Sequence, residues 1–193
     1  MKLVFATENP GKLREINTFA QHFGVEVISP SQAGFEPRDV EETGSTYEEN
    51  AALKVQAYAS QPKGKEFIIC GDDAGIEIAA LNGEPGLHTR RWLGYKMADQ
   101  EIACYALGRM HEKNDRRAVF KSTVAYSMYG GEISYTHGEL RGEIARAAFA
   151  NAPRQEGFPF RRLFSADAEP PIPLWQFEDL SFAERQARNL FSH

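Results

Sequence analysis

Phe67-Ile68-Ile69-Cys70-Gly71-Asp72-Asp73-Ala74-Gly75 is the stretch on which the reading of the fold turns. An apolar run with β-branching at Ile68 and Ile69, closed by Gly71, reads as a buried strand whose carboxyl end opens into a loop. Open α/β sheets keep their sites at such ends. Side chains alternate along an extended backbone, so Asp72 and Asp73 point to opposite sides. One of them is then a candidate metal ligand or base, and the other is scaffolding. By itself the pair also fits a plain turn cap, with Gly75 in the left-handed region. The surrounding sequence has to choose between these readings.

Working outward, the 193-residue chain can bury a sizeable core and reads as a single domain over residues 1–193, with room for two lobes. Hydrophobic residues at 42% and charged residues at 25% are ordinary for a globular protein. No segment has the apolar length of a membrane helix, and Met1-Lys2-Leu3-Val4-Phe5 runs into a strand pattern without a signal-peptide layout. These features point to the cytoplasm and away from a membrane. Cys70 and Cys104 sit among apolar neighbours without Cys-x-x-Cys spacing and read as core residues. The five histidines never fall at helical ligand spacing. With 22 basic against 27 acidic side chains the net charge is −5, which offers nothing to nucleic acid. An anionic ligand needs local cations.

In chain order, Lys2 to Ala6 reads as a strand, and Thr7-Glu8-Asn9-Pro10-Gly11-Lys12 as a polar turn into a helix over 11–22 with Leu13, Ile16, Phe19 and Ala20 on its apolar stripe. The turn is no Walker A motif, but backbone N–H groups, a helix start and a lysine together suit a phosphate or carboxylate. Val25 to Ile28 is a second strand. Ser45 with Glu48, and Thr46 with Glu49, match the capping box, so a helix starts near Thr46 and runs to about Ser60. An asparagine and Lys54 lie near the face it packs with. Ile76 to Leu81 continues as strand, and a helix over 99–110 is expected with Asp99 as its cap. Arg117 to Tyr129 and Glu132 to Ala145 form a hairpin turning at Gly130-Gly131. A loop rich in arginine and aromatic residues, a proline-rich connection over 169–173 and a last helix over 181–190 complete the chain.

Four motifs then carry a resemblance: Ala6-Thr7-Glu8-Asn9-Pro10-Gly11-Lys12-Leu13-Arg14-Glu15-Ile16, Glu42-Thr43-Gly44-Ser45-Thr46-Tyr47-Glu48-Glu49-Asn50-Ala51-Ala52-Leu53-Lys54, Asp72-Asp73-Ala74-Gly75-Ile76 and Leu81-Asn82-Gly83-Glu84-Pro85-Gly86. In this order they resemble the pyrophosphatases of non-standard purine nucleoside triphosphates, the inosine triphosphatase (dITP/XTP pyrophosphatase) family. The resemblance implies an elongated α/β fold with a mixed, twisted sheet flanked by helices, two lobes around a central nucleotide cleft, and a homodimer. It also implies Mg²⁺-dependent hydrolysis of a nucleoside triphosphate to the monophosphate and pyrophosphate. On this basis Glu42 and Asp73 are metal ligands, and Asp73 and Lys54 are catalytic. Thr7, Asn9 and Lys12 hold phosphates, Ala74 lines the substrate site, and Phe158 stacks on the base.

The second half departs from the family pattern. Where the family has Gly-Phe-Gly-Tyr-Asp-Pro, this chain has Gly157-Phe158-Pro159-Phe160-Arg161-Arg162, so a guanidinium at Arg161 replaces a carboxylate of the nucleoside pocket. Either Arg161 contacts the ligand, or it turns outward with Arg162 and another residue restores the usual contacts. The family's Ala-Ile-Ser-His-Arg segment is matched only by Asn189-Leu190-Phe191-Ser192-His193, and Arg188 stands where the family has lysine. His193 and Arg188 are therefore substrate-binding candidates within an altered base-recognition region. A nucleotide-binding protein of the same fold without turnover is the competing expectation.

Overall fold

The computed structural model describes residues 1–152, 157–167, 171–174 and 176. Among these, an eight-stranded sheet has the order β2-β1-β3-β5-β6-β7-β8, with β4 paired to β3. The strands are β1 (Lys2–Phe5), β2 (Glu26–Ile28), β3 (Ile68–Ile78), β4 (Pro85–Gly86), β5 (Arg117–Met128), β6 (Ile133–Ile144), β7 (Phe164–Ala166) and β8 (Ile172–Pro173). The helices are α1 (Pro10–Ala20), α2 (Tyr47–Ala59) and α3 (Asp99–Arg109). Parallel pairing of β1 with β2 and β3, and antiparallel pairing of β3 with β4, β6 with β7 and β7 with β8, make the sheet mixed and the fold α/β. No helix among the described residues is long and apolar enough to cross a membrane.

The chain forms two compact units. The first comprises residues 1–73 and 122–137, and the second 74–121 and 138–193. In the first unit Val4, Ala51, Val55, Ile69 and Ala125 are buried together, while Phe5, Val27 and Cys70 form a second cluster closed by Leu13, Ile16 and Ala20 of α1. The second unit has its own core around Ile76, Ile78, Ile102, Met110, Phe160, Leu163 and Phe164. Each cluster removes branched and aromatic side chains from water, the dominant favourable term in folding.

Local chemistry sets the helix ends. The Asn9 side chain accepts from the N–H groups of Gly11 and Lys12, with Pro10 in the first turn where its missing N–H costs nothing. The helix expected over 11–22 gives way after Ala20 to a 3₁₀ turn, which closes on Gly24 at φ 67°. At α2 Thr46 is the cap, its Oγ1 accepting the Glu49 N–H at 3.1 Å, but the Glu49 carboxylate accepts the N–H and hydroxyl of Ser45, one residue before the cap, so the expected box forms only in half.

Four expectations need correction. Strand β3 does not end at Gly71 but runs unbroken through Asp72 and Asp73 to Ile78, where a 3₁₀ turn over Ala79–Leu81 replaces the expected strand. Two adjacent carboxylates look like a loop only until their partners are known. The cap of α3 is Ala98, not Asp99, whose carboxylate instead accepts from Arg90 and from the Gly157 N–H. The hairpin turn centres on Tyr129 and Gly130, at φ 53° and 75°, one residue earlier than Gly130-Gly131 suggests. Gly131 N–H closes it on the Met128 carbonyl, and two consecutive positive φ angles match the right-handed twist of the flanking strands. Cys104 is exposed, not core, because it faces away from the Ile102–Ala106–Met110 stripe of α3; Cys70 is buried as expected, and burial pushes its thiol up to about 12. The last helix, expected over 181–190, lies outside the described residues.

Candidate active site

Strand register places the polar cluster. Leu3, Val4 and Phe5 of β1 pair with Ile68, Ile69 and Cys70 of β3, and Ala6 N–H donates to the Cys70 carbonyl at 2.7 Å. There β1 stops and its chain turns into α1, while β3 continues. Asp72 and Asp73 therefore lie just past the carboxyl end of β1, the usual position for a site in a sheet of this kind. The site is at a strand end after all, but the end belongs to β1.

The pleat sends the two carboxylates to different partners. Asp72 receives Lys12 Nζ from the first turn of α1 on both oxygens, at 3.0 and 2.9 Å. Asp73, only 9% exposed, accepts from the Asn50 side-chain amide through Oδ2 at 2.9 Å and lies 3.7 Å from Lys54 Nζ through Oδ1. Lys54 Nζ also donates to the Asp72 backbone carbonyl and to Glu42 Oε1, each at 2.6 Å. One ammonium thus gathers Glu42 from the loop before α2 and Asp73 from β3. The approach of strand to helix is close, since a Cβ at Gly71 would lie 3.0 Å from Lys54 Cβ and 3.2 Å from the Ala51 carbonyl. Glycine at 71 lets β3 come near enough for Lys54 to span it.

Of the residues expected to hold phosphate, Lys12 is in the Asp72 pair. Asn9 spends its side-chain oxygen on the α1 cap, and Thr7 Oγ1 accepts the Asn9 N–H at 3.2 Å. Ala74, Phe158 and Arg161 belong to the second unit. Ala74 is exposed and Phe158 half-buried. Arg161 is 9% exposed and Arg162 half-buried, so neither turns out to solvent, the alternative that the sequence left open. Arg188 and His193 lie outside the described residues. Sequence reading assigns no role to Asn50 and none but scaffolding to Asp72. The signal for Asn50 was its place one turn before Lys54 on the same helix face.

The donor set can be tested against a divalent cation. Glu42 and Asp73 are hard oxygen donors already converging on one cationic group, and no cluster of three or more His, Cys, Asp or Glu groups able to hold a metal occurs among the described residues. Two carboxylate oxygens fit a hard divalent cation, which takes oxygen ligands. Lys12 and Lys54 against Glu42, Asp72 and Asp73 leave the cluster with one net negative charge. A polyanion is repelled by such a site unless a cation joins it.

The fold is that of a known group of proteins. Residues 3–187 match the Ham1 family. A dITP/XTP pyrophosphatase of Bacillus subtilis (strain 168) is 35% identical over 164 residues, covering 83% of this chain and 78% of that protein. Solved structures agree: the Staphylococcus aureus Ham1 protein has a TM-score of 0.72 at 31% identity, over 100% of this chain and 92% of that one. A HAM1 protein from Coxiella burnetii has a TM-score of 0.75 at 27% identity, over 98% and 95% respectively. The chain belongs to the Ham1 family. The resemblance drawn from the four motifs and the mixed α/β expectation are both borne out.

Proposed function

We propose that the chain is a nucleoside triphosphate pyrophosphatase, a hydrolase that cuts the anhydride between the α- and β-phosphates and releases nucleoside monophosphate and pyrophosphate. The observation that carries this reading is the convergence of Glu42, Lys54 and Asp73 beside the Lys12–Asp72 pair at the end of β1, in a chain whose relatives include a dITP/XTP pyrophosphatase. Glu42 and Asp73 would hold Mg²⁺, which when bound supplies positive charge against the phosphate oxygens. Lys54 and Lys12 neutralise the rest of the triphosphate, each leaving a carboxylate partner to do so. Asp73, held by Asn50 on one oxygen, would accept the proton of the attacking water. The amide ends of α1 favour anionic groups near Thr7 and Asn9.

In the same reading the base is recognised through the Phe158–Arg161 loop. The buried Arg161 guanidinium favours an acceptor-rich or anionic group and disfavours an amino group. Base preference is thereby altered from that of the relatives, and the protein works as a cytoplasmic homodimer. The decisive experiment incubates it with Mg²⁺ and inosine, xanthosine, guanosine, adenosine and pyrimidine triphosphates, with pyrophosphate as readout. Pyrophosphate release is expected, without a large preference for inosine triphosphate. A preference over guanosine triphosphate on the order of 10²-fold would refute altered recognition. Tight nucleotide binding with no pyrophosphate from any substrate would favour a binding protein.

A further inference from the structure

We infer that Asn50 is the positioning residue that sets the Glu42–Asp73 pair for its cation, a role that rests on the proposed activity. Asn50 is 3% exposed and uses both ends of its amide. Its Nδ2 donates to Asp73 Oδ2 at 2.9 Å, and its Oδ1 accepts the Gly44 N–H at 2.7 Å. Gly44 lies two residues after Glu42, so one side chain fastens the Glu42 loop and the Asp73 carboxylate to the same point of α2. With Oδ2 engaged, Asp73 keeps Oδ1 on the side of Lys54 Nζ, the position that Glu42 Oε1 also reaches. The loop is drawn in tightly: a Cβ at Gly44 would lie 2.6 Å from Glu49 Cβ and 2.7 Å from Asn50 Oδ1. A side chain at 44 would push the loop off its anchor, and Glu42 with it.

The arrangement explains why an amide is needed here. A carboxylate at position 50 could still accept from Gly44, but would present an oxygen with no N–H to Asp73. An aliphatic residue would leave both Gly44 N–H and Asp73 Oδ2 without this partner in a buried setting. Only a group that accepts on one side and donates on the other serves both. Partners that orient metal ligands from behind in this way are typically worth about 10 to 100-fold in metal affinity or activity.

Mn²⁺ is the probe, with its binding to the full chain read by electron paramagnetic resonance independently of turnover. Asn50→Ala and Asn50→Asp are each expected to weaken Mn²⁺ by about tenfold or more and to lower kcat, with KM for the triphosphate changing less. Asn50→Asp retains the acceptor for Gly44 but sets a second carboxylate against the buried Asp73, so its melting temperature is expected to fall, and Mn²⁺ affinity is compared below the melting range of each variant. Mn²⁺ affinity and kcat like wild type in Asn50→Asp, with loss confined to a less stable Asn50→Ala, would reduce Asn50 to a loop tether and overturn the inference. If neither variant folds, the wild-type side-chain amide resonance of Asn50 decides: it is expected to shift on Mg²⁺ titration, and an unmoved resonance overturns the role. Absence of both Mn²⁺ binding and pyrophosphate release in wild type would instead sink the proposed activity itself.

Discussion

Each unit carries a cluster of opposite charges and aromatic or amide groups, and the two differ in what surrounds them. In the first unit Glu42, Asn50, Lys54 and Asp73 pack against the buried middle of β3, tied to the backbone at Asp72 and Gly44. In the second, Glu84 accepts from Trp92 and Arg109, and Arg109 lies over the rings of Trp92 and Tyr105. The second cluster has fewer polar contacts, and its Glu84–Arg109 ion pair lies at the surface, where ion pairs contribute little. Burial of Asp73 and Asn50 in the first cluster raises the cost of an unmatched charge, so their groups are held in fixed directions. Fixed direction in a water-poor setting is what catalysis uses.

Four changes would break or sharpen that contrast. The largest effect is expected from Asp73→Asn, which removes a proton acceptor and a cation ligand while keeping the shape: kcat should fall by roughly 10² to 10⁴-fold with the circular dichroism spectrum unchanged. Wild-type turnover in this variant would end the assignment of the first cluster as a catalytic site. Next come Lys12→Ala and Lys54→Ala, each expected to weaken a triphosphate by about 1.5 to 3 kcal/mol and a nucleoside far less, as measured by calorimetry. Equal losses for the two ligands would show that neither lysine meets phosphate.

The smallest effect belongs to the second unit. Hydrogen bonds from Trp92 and then Arg109 hold the Glu84 carboxyl below its ordinary range. Its contribution is thus present above the unfolded-state pKa and is lost as pH falls through the lower folded-state value. Glu84→Gln should melt within about 2 °C of wild type at neutral pH, and the gap should close as acidification protonates the Glu84 carboxylate in the folded state. Loss of kcat in this variant at neutral pH would show that the contrast between the clusters is wrongly drawn.

Much of the fold was legible because it is written in short-range signals. The apolar run at the start of β3, the Thr46–Glu49 cap and the two long strands flanking Tyr129-Gly130 each depend on neighbours a few residues apart. Two of the misreadings share one cause. Asp72 and Asp73 are tolerated inside β3 because Lys12, Asn50 and Lys54 arrive from elsewhere, and Asp99 leaves its cap because Arg90 and Gly157 N–H compete for it.

The sequence by itself determined the family, the mixed α/β class, the Thr46 helix cap and the residue types able to handle a triphosphate, since motif order and local capping chemistry are properties of the linear chain. It also marked Glu42, Lys54 and Asp73 as candidates. Only the tertiary structure decided that these three meet at one ammonium, that Lys12 is paired with Asp72, and that Asn50 joins the Glu42 loop to Asp73. Such meetings depend on where β1 stops against β3 and on how closely Gly71 and Gly44 let backbone approach α2. Those are distances across the fold, and spacing along a chain does not encode them.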